Sequence, residues 1–192
     1  MNQGNGTFQE ESWSWGVAYD EQGAVVSGMG ADARDFNEDG WPDVFVANDT
    51  TANFLLRNRG DGTFEEMGGK AGVAYDAQGK ATGAMGVDVG DYRNEGVLAI
   101  AVGNFTNEPT SFYVAQQRAG QFRDNNTAEG VGPPSRQSLK FGVLFLDVDL
   151  DGRLDLFATN GNLEPEIETL QKSQRYRQPS QLFWNVGPLA AA

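Results

Sequence analysis

The chain has 192 residues, enough for one or two ordinary domains, and 39% of them are hydrophobic, so we expect a packed core. Its 27 acidic residues exceed its 14 basic ones, and the formal charge of −13 would repel nucleic acid and anionic lipid surfaces. The lack of cysteine excludes disulfides and thiolate metal sites, and the lack of histidine removes the commonest general base and the usual zinc ligand.

The sequence repeats with a period of 56 residues. The phrase NQGNGTFQE at 2–10 returns as NRGDGTFEE at 58–66, and GVAYD at 16–20 returns at 72–76. Two series of polar residues keep the same spacing: Asp35, Asp91 and Asp147, and Asn48, Asn104 and Asn160. A period of this size indicates stacked copies of one supersecondary unit.

Each copy holds short apolar segments separated by Gly, Asn and Asp, and these predict four short strands per copy. In chain order the first predicted strands are one that begins at the GTF phrase of Phe8, the segment ending at Asp35, VFVA at 44–47, FLLRN at 54–58 and one that begins at the GTF phrase of Phe64. The later ones are the segments ending at Asp91 and Asp147, VLAIAV at 97–102, FYVAQ at 112–116, QF at 121–122, LFA at 156–158 and LFWN at 182–185.

A four-stranded unit at this period predicts an all-β fold of about three β-propeller blades. We treat residues 1–192 as a single repeat region. The blade units are 27–82, 83–138 and 139–192, and residues 1–26 hold the end of a preceding blade. A β-sandwich or a β-solenoid remains an alternative, although neither explains so long a period as directly.

Two loops, each between the first and second strands of a copy, carry the pattern D-x-[DN]-x-D-G-x-x-D. Oxygen-bearing side chains fall at loop positions 1, 3, 5 and 9, and the glycine at position 6 lets the backbone reverse. Such alternation suits calcium, which takes about six to eight hard oxygen ligands, and a carbonyl at position 7 can add one. The candidate ligands are Asp35, Asn37, Asp39, Asp43 and the Trp41 carbonyl, and Asp147, Asp149, Asp151, Asp155 and the Arg153 carbonyl.

Two other interpretations of these loops were weighed. An EF-hand begins with a similar pattern but needs a bidentate Glu at position 12 and flanking helices. Position 12 here is Val46 or Ala158, each within an apolar strand. The simpler alternative is a pair of acidic Asx turns that bind no metal.

The middle loop departs from the pattern. Its corresponding positions are Asp91, Arg93, Glu95 and Ala99, so one ligand has become a cation and another a methyl group. We expect no metal in this loop. Arg93 would either replace the metal by pairing with Asp91 or Glu95, or lie in solvent beside a plain turn.

These loops and their apolar strands resemble the FG-GAP repeats of integrin α-subunit propellers and the related VCBS repeats of bacterial secreted proteins. The phrases FLLRNRGDGTF, AGVAYD, DGRLDLFATNGN and YRQPSQLFWNVG look more closely like the repeat region of ASPIC/UnbV-type, cartilage-acidic-protein-like proteins. The resemblance covers Gly4 to Gly187. It implies Ca2+ in the acidic loops on one propeller face, and binding of proteins or glycans on the other.

The resemblance also implies a secreted, cell-surface or periplasmic location, although the polar start MNQGNGTF has no signal-peptide core. No run approaches the roughly 20 apolar residues of a membrane span, so we expect no membrane insertion. The resemblance departs from the ASPIC/UnbV-type group in the middle loop, in the number of blades and in the C-terminal domain of that group, which we do not expect within residues 1–192.

The face opposite the acidic loops is the candidate partner surface. It would be formed by 48–53, 104–111, 160–181 and the segments around Tyr19, Tyr75 and Pro133. The stretch from Glu164 to Leu170 predicts a short helix with Pro165 in its first turn, and could contact a partner or pack as a solvated insertion. The recurrent Asn48, Asn104 and Asn160 are predicted to cap turns.

Two function classes follow. The favoured one is a non-enzymatic, calcium-binding interaction module, because no nucleophile and base pair can be named. The alternative is a fragment of a carbohydrate-active propeller enzyme, in which Trp13, Trp15, Trp41, Tyr113 and Trp184 would offer stacking surfaces.

Oligomerisation is a further expectation. At 56 residues each, 192 residues hold 192/56, or about 3.4, repeats, fewer than the roughly four to eight blades of closed propellers. A homodimer in which each N-terminal GTFQE segment completes the partner's last blade would form a six-bladed ring. An open arc cut from a longer propeller is the alternative.

Overall fold

Three antiparallel sheets follow one another along the chain in the computed structural model, which describes residues 2–20 and 23–187. The first sheet has strands β1 Gly28–Arg34, β2 Asp43–Asn48, β3 Phe54–Asn58 and β4 Phe64–Glu66. The second has β5 Ala84–Gly90, β6 Ala99–Asn104, β7 Ser111–Ala115 and β8 Phe122–Asp124. The third has, among the described residues, β9 Lys140–Leu146, β10 Asp155–Asn160 and β11 Gln181–Phe183. The all-β prediction of propeller-type blades is confirmed.

We call the sheets blades 1, 2 and 3. Consecutive strands pair within each blade, as the up-and-down order of a propeller blade requires. The described residues form four helices of four residues each: α1 Ser12–Trp15 before the first strand, and α2 Gly68–Ala71, α3 Gly132–Ser135 and α4 Ile167–Leu170 between strands. No helix in the described part of the chain has the length and hydropathy needed to cross a membrane.

The blades pack face to face around two apolar cores. One core lies between blades 1 and 2, with Phe36, Phe45 and Leu55 facing Ile100, Tyr113 and Phe122. The other lies between blades 2 and 3 and includes Tyr92, Phe112, Val114, Val131, Val143 and Leu156. Because a middle strand of blade 2 is covered on both faces, β6 is buried at every residue and reads as a continuous apolar run.

The innermost strands β1, β5 and β9 lie side by side, so blade 2 separates blade 1 from blade 3. Their close approach requires glycine. A Cβ on Gly30 would lie 2.6 Å from the Met85 carbonyl oxygen, and one on Gly86 would lie 2.4 Å from the Phe141 carbonyl oxygen. Gly30 and Gly86, which occupy the same position in two successive repeats, are therefore packing residues.

Most predicted strands are confirmed within one or two residues, but two local predictions are wrong. The GTF phrase at Phe8 forms only an isolated bridge between Asn2 and Phe8, because no strand of its own blade lies beside it. The helix predicted from Glu164 begins at Ile167, so Pro165 lies before it and not in its first turn.

The two ends of each blade carry different loops, since the strands are antiparallel. The acidic loops lie at one end, between β1 and β2, β5 and β6, and β9 and β10. At the other end the predicted asparagine caps are confirmed. The Nδ2 groups of Asn48, Asn104 and Asn160 donate to the carbonyls of Ala52, Pro109 and Pro179 at 2.7, 2.6 and 2.8 Å.

Candidate metal centre

The first acidic loop, between β1 and β2, is folded around Asp35. Its two carboxylate oxygens accept the backbone N–H groups of Asp39 at 3.1 Å and Gly40 at 2.8 Å. The Asn37 Oδ1 atom also accepts the Asp39 N–H at 3.1 Å, while its Nδ2 donates to Asp39 Oδ2 at 2.9 Å. The loop thus brings three of its predicted oxygen ligands together at one turn.

The third loop, between β9 and β10, repeats this geometry. The Asp147 carboxylate accepts the N–H groups of Asp151 at 3.1 Å and Gly152 at 2.9 Å. Asp147, Asp149 and Asp151 each offer a carboxylate oxygen, and these oxygens all lie within 4.8 Å of one another. Three carboxylates gathered this closely repel one another unless a cation lies among them.

Two further side chains contact these carboxylates, Arg153 from within the third loop and Trp184 from the segment just after β11. The Arg153 guanidinium forms an ion pair with Asp151 through Nη2, and its Nε donates to the Asn185 carbonyl at 3.2 Å. The Trp184 indole N–H donates to Asp149 Oδ2 at 2.9 Å. Sequence reasoning missed both contacts. Arg153 was chosen only for its carbonyl, and Trp184 is 35 residues away from Asp149 along the chain.

The position 9 carboxylates have a structural role in addition to their predicted one. Both Asp43 and Asp155 are buried. Asp43 accepts the N–H of Phe36 at 3.1 Å and of Asn58 at 2.8 Å, which ties the loop to the end of β3. Burial raises the pKa of Asp43, and the two N–H donors act in the opposite direction.

Asp155 repeats this arrangement, accepting the N–H of Val148 at 3.1 Å and of Asn185 at 2.7 Å. Each carboxylate oxygen can accept more than one bond, so these contacts leave room for a cation. The predicted ligand roles of Asp43 and Asp155 remain predictions.

The middle loop has the backbone of the other two without their ligands. Asp91 accepts the N–H groups of Glu95 at 3.1 Å and Gly96 at 2.7 Å, as Asp35 and Asp147 do in their loops. Arg93 forms no ion pair with Asp91 or Glu95 among the described residues, so that predicted pairing was wrong. Its Nη2 atom instead donates to both carboxylate oxygens of Glu129, at 2.9 and 3.0 Å. The Arg93 side chain is 44% exposed, so the alternative of an arginine in solvent beside a plain turn is correct in part.

All three loops share one strained backbone. A non-glycine residue has positive φ at loop position 4: Glu38 at 62°, Asn94 at 57° and Leu150 at 61°. Glycine has positive φ at position 6: Gly40 at 89°, Gly96 at 80° and Gly152 at 87°. Left-handed conformation outside glycine is uncommon and is retained where the surrounding structure requires it. The three loops therefore share one backbone conformation, and they differ in which side chains are placed at the ligand positions.

The donor set fits a hard divalent cation. It consists of carboxylate and amide oxygens, which calcium prefers, and the sequence has no thiol or imidazole for a softer metal. Asp147, Asp149 and Asp151 supply three anionic oxygens in the third loop, whereas Asp35 and Asp39 supply two beside Asn37 in the first. By the number of carboxylates at positions 1, 3 and 5, the third loop is the stronger candidate, although Arg153 offsets part of their charge.

The aromatic residues proposed as sugar-stacking surfaces do not form one platform. Tyr113 is fully buried between blades 1 and 2, with its ring 6.5 Å from that of Phe45. Trp15 stacks on Phe64 at 6.3 Å, and Trp13 meets Tyr19 edge to face at 5.5 Å.

Part of this chain is similar in sequence to a known repeat family and to three known proteins. Residues 35–102, which include the first and middle loops, match the family described as FG-GAP-like repeat. Cartilage acidic protein 1 from Homo sapiens is 32% identical over 121 residues, which is 62% of this chain and 17% of that protein. The Xenopus tropicalis and Mus musculus proteins of the same name are each 31% identical over 120 residues, with the same coverage. The chain thus aligns with about a sixth of the length of these relatives.

Proposed function

From the premise that this chain is an FG-GAP repeat protein, we propose that it is a calcium-stabilised, integrin-like interaction module. In this proposal it works outside the cell and has no catalytic activity. The observation that carries the proposal is the convergence of Asp147, Asp149 and Asp151 in a turn between two propeller strands. A cation at this point would neutralise the mutual repulsion of the three carboxylates and hold the ends of β9 and β10 together.

Residues of the first and third loops would hold one Ca2+ each. The side chains at positions 1, 3, 5 and 9 and the carbonyl of Trp41 or Arg153 give five ligand groups, and water completes the coordination. Weak binding is expected, because several of these oxygens already accept backbone N–H groups. Dissociation constants of about 0.1–1 mM, typical of extracellular modules, fit a location where calcium is millimolar.

The opposite face supplies the proposed partner surface. A cavity of about 620 Å³ lies there among the segment before β5, the β6–β7 loop and the segment after β8, and it is lined by both acidic and basic side chains, among them Asp76, Lys80, Glu108 and Arg136. Glu108 is held in place because its Oε2 accepts the Gly83 N–H at 2.8 Å. A polar cavity of mixed charge on rigid loops suits a protein segment or a glycan with hydroxyl and carboxylate groups.

Thermal unfolding tests the calcium part of the proposal. Millimolar calcium should stabilise the wild-type chain by about 1–2 kcal/mol per site relative to excess chelator. Asp149→Ala should remove the contribution of the third loop. Asp61→Ala is the matched control, since Asp61 accepts hydrogen bonds from its near neighbour Thr63 in the exposed β3–β4 turn, and the variant should leave the calcium response unchanged. Equal melting temperatures in calcium and chelator would refute a structural role for the ion.

An array of extracellular matrix proteins and acidic glycans tests the partner surface. Arg136→Glu should weaken whatever binding the wild type shows. The same charge reversal at Arg59, which lies on the β3–β4 hairpin of blade 1 and pairs with Glu65, should leave binding intact. Equal loss in both variants would assign the binding to net charge and not to the cavity.

A further inference from the structure

An apolar cavity lies between blades 2 and 3. It measures about 400 Å³ and is lined on the blade 2 side by Tyr92, Phe112 and Val131, and on the blade 3 side by Phe145, Leu156 and Phe183. It opens beside β11, which pairs with β10 on one edge and with no strand of the described chain on the other.

The repeat shows what fills this position in blade 2. There Phe122 of the outermost strand β8 is buried against blade 1, and its ring meets Phe36 edge to face at 6.0 Å. Tyr92 is the residue 56 positions after Phe36, and it lines the blade 3 cavity. The cavity therefore occupies the place where a phenylalanine of a fourth strand packs in the preceding blade.

A series of three glycines gives independent support. Gly16, Gly72 and Gly130 follow successive outermost segments and all have positive φ, at 74°, 81° and 75°. A Cβ on Gly16 would lie 3.1 Å from the carbonyl oxygen of Phe64, and one on Gly72 would lie 2.5 Å from that of Phe122. A Cβ built on Gly130 would have no neighbouring atom within 4 Å. The first two glycines thus pack on the phenylalanine of a neighbouring blade's outermost strand, and the third faces open space.

One segment of the chain has the matching sequence and lies outside every sheet. Residues 2–10 share six of nine residues with 58–66, which contain β4, namely the two Asn-x-Gly-x-Gly-Thr-Phe-x-Glu phrases. The Phe8 side chain is 82% exposed. The segment is already folded like its counterpart: the Gln3 N–H donates to the Thr7 carbonyl at 2.9 Å, as Arg59 does to Thr63 at 3.0 Å.

This segment cannot reach the cavity of its own chain. Trp15 stacks on Phe64 in β4, which holds the segment at blade 1, and blade 2 lies between blade 1 and the cavity. We propose that the cavity accepts residues 5–10 of a second copy of the chain, which would add a fourth strand to blade 3. Reciprocal exchange between two three-bladed copies would form a six-bladed ring.

The repeat fixes the register of the added strand. In blade 1, Asn58, Arg57 and Leu56 pair with Phe64, Glu65 and Glu66. The equivalent pairs in blade 3 are Asn185 with Phe8, Trp184 with Gln9 and Phe183 with Glu10. The Glu10 carboxylate would then accept the Leu182 N–H, as Glu66 accepts that of Leu55 at 3.2 Å and Asp124 that of Phe112 at 3.1 Å. The Asn2–Phe8 bridge opens during docking, because Asn185 takes the position of Asn2.

Sedimentation equilibrium of the whole chain in about 0.15 M salt tests the proposal, since salt screens the repulsion between two chains of charge −13. The expected mass is twice 20.8 kDa. Phe8→Asp should weaken dimerisation at least about 100-fold. The control Leu170→Asp, at a side chain 72% exposed on α4, should leave it unchanged. A monomer at 100 μM concentration (about 2 mg/ml), or a dimer that Phe8→Asp does not affect, would overturn the proposal.

Disulfide crosslinking tests the register of the added strand. The chain has no cysteine of its own, so only the introduced cysteines can form a disulfide. Gln9→Cys in one chain and Trp184→Cys in a differently tagged chain place the two sulfurs on directly opposed residues, whose Cα separation suits a disulfide. Mixing and oxidation should give a covalent heterodimer on a non-reducing gel. Gln9→Cys mixed with Leu170→Cys is the control and should give none. Equal crosslinking in both mixtures would contradict the proposed register.

Discussion

Arg153 forms an ion pair with Asp151, one of the three carboxylates that converge in the third acidic loop. The guanidinium therefore competes with a divalent cation for the same oxygen, while the carbonyl of the same residue is a predicted calcium ligand. Arg153→Gln keeps this carbonyl and removes the competing charge.

We expect Arg153→Gln to tighten calcium binding at the third loop roughly three- to tenfold, because a like charge within a few ångströms is removed. Calorimetric titration in an Asp35→Ala background isolates this site. Arg136→Gln removes the same charge from the opposite face and should change the affinity little. Weaker binding in Arg153→Gln would show that the arginine orders the loop for the ion.

Asp43→Ala should lower the free energy of unfolding by about 2–5 kcal/mol even in chelator. The substitution leaves the N–H groups of Phe36 and Asn58 without their acceptor at a buried position. Urea denaturation measures the change, and Asp61→Ala, at an exposed Asx turn, should cost much less. A small effect at Asp43 would assign this carboxylate to the metal alone.

Stability should depend on pH through Lys140, which is fully buried at the start of β9. Its Nζ donates to the carbonyls of Glu108 at 2.7 Å and Ser135 at 3.0 Å, and burial lowers its pKa to about 7 from the usual 10.5. Between these values the unfolded chain binds more protons, so this lysine should make stability rise with pH from about 7 to about 10.5. Lys140→Met should flatten this rise. An unchanged slope in the variant would contradict the lowered pKa.

Gly86→Ala should destabilise the fold by about 2–4 kcal/mol, because the added methyl group would meet the Phe141 carbonyl oxygen at 2.4 Å. The matched control is Gly69→Ala in α2, where no atom lies within 4 Å and helix propensity favours alanine. Similar denaturation midpoints for the two variants would refute the tight packing of β5 on β9.

Local sequence patterns predicted much of this fold. The apolar run of β6 could be recognised because blade 2 has a neighbouring blade on each face, so every residue of this strand is buried. β2 and β10 could be recognised because each lies between two strands of its own sheet and packs one face against blade 2. The loop pattern correctly placed Asp35 and Asp147 at the same end of their blades. The contacts that escaped prediction are distant in sequence. Arg93 meets Glu129 after 36 residues, and Asp43 meets Asn58 after 15, so no local pattern could identify either partner. Phe8 failed as a strand because an edge strand needs a neighbouring strand to pair with.

The measurement that tests the central claim most directly is a calcium titration followed by native mass spectrometry, which counts bound ions. The account predicts two Ca2+ per chain at millimolar calcium, one in Asp149→Ala, one in Asp39→Ala and none in the double variant. Asp91→Ala should still bind two. A wild-type chain that binds no calcium, or a bound ion that is lost with Asp91→Ala, would contradict the account.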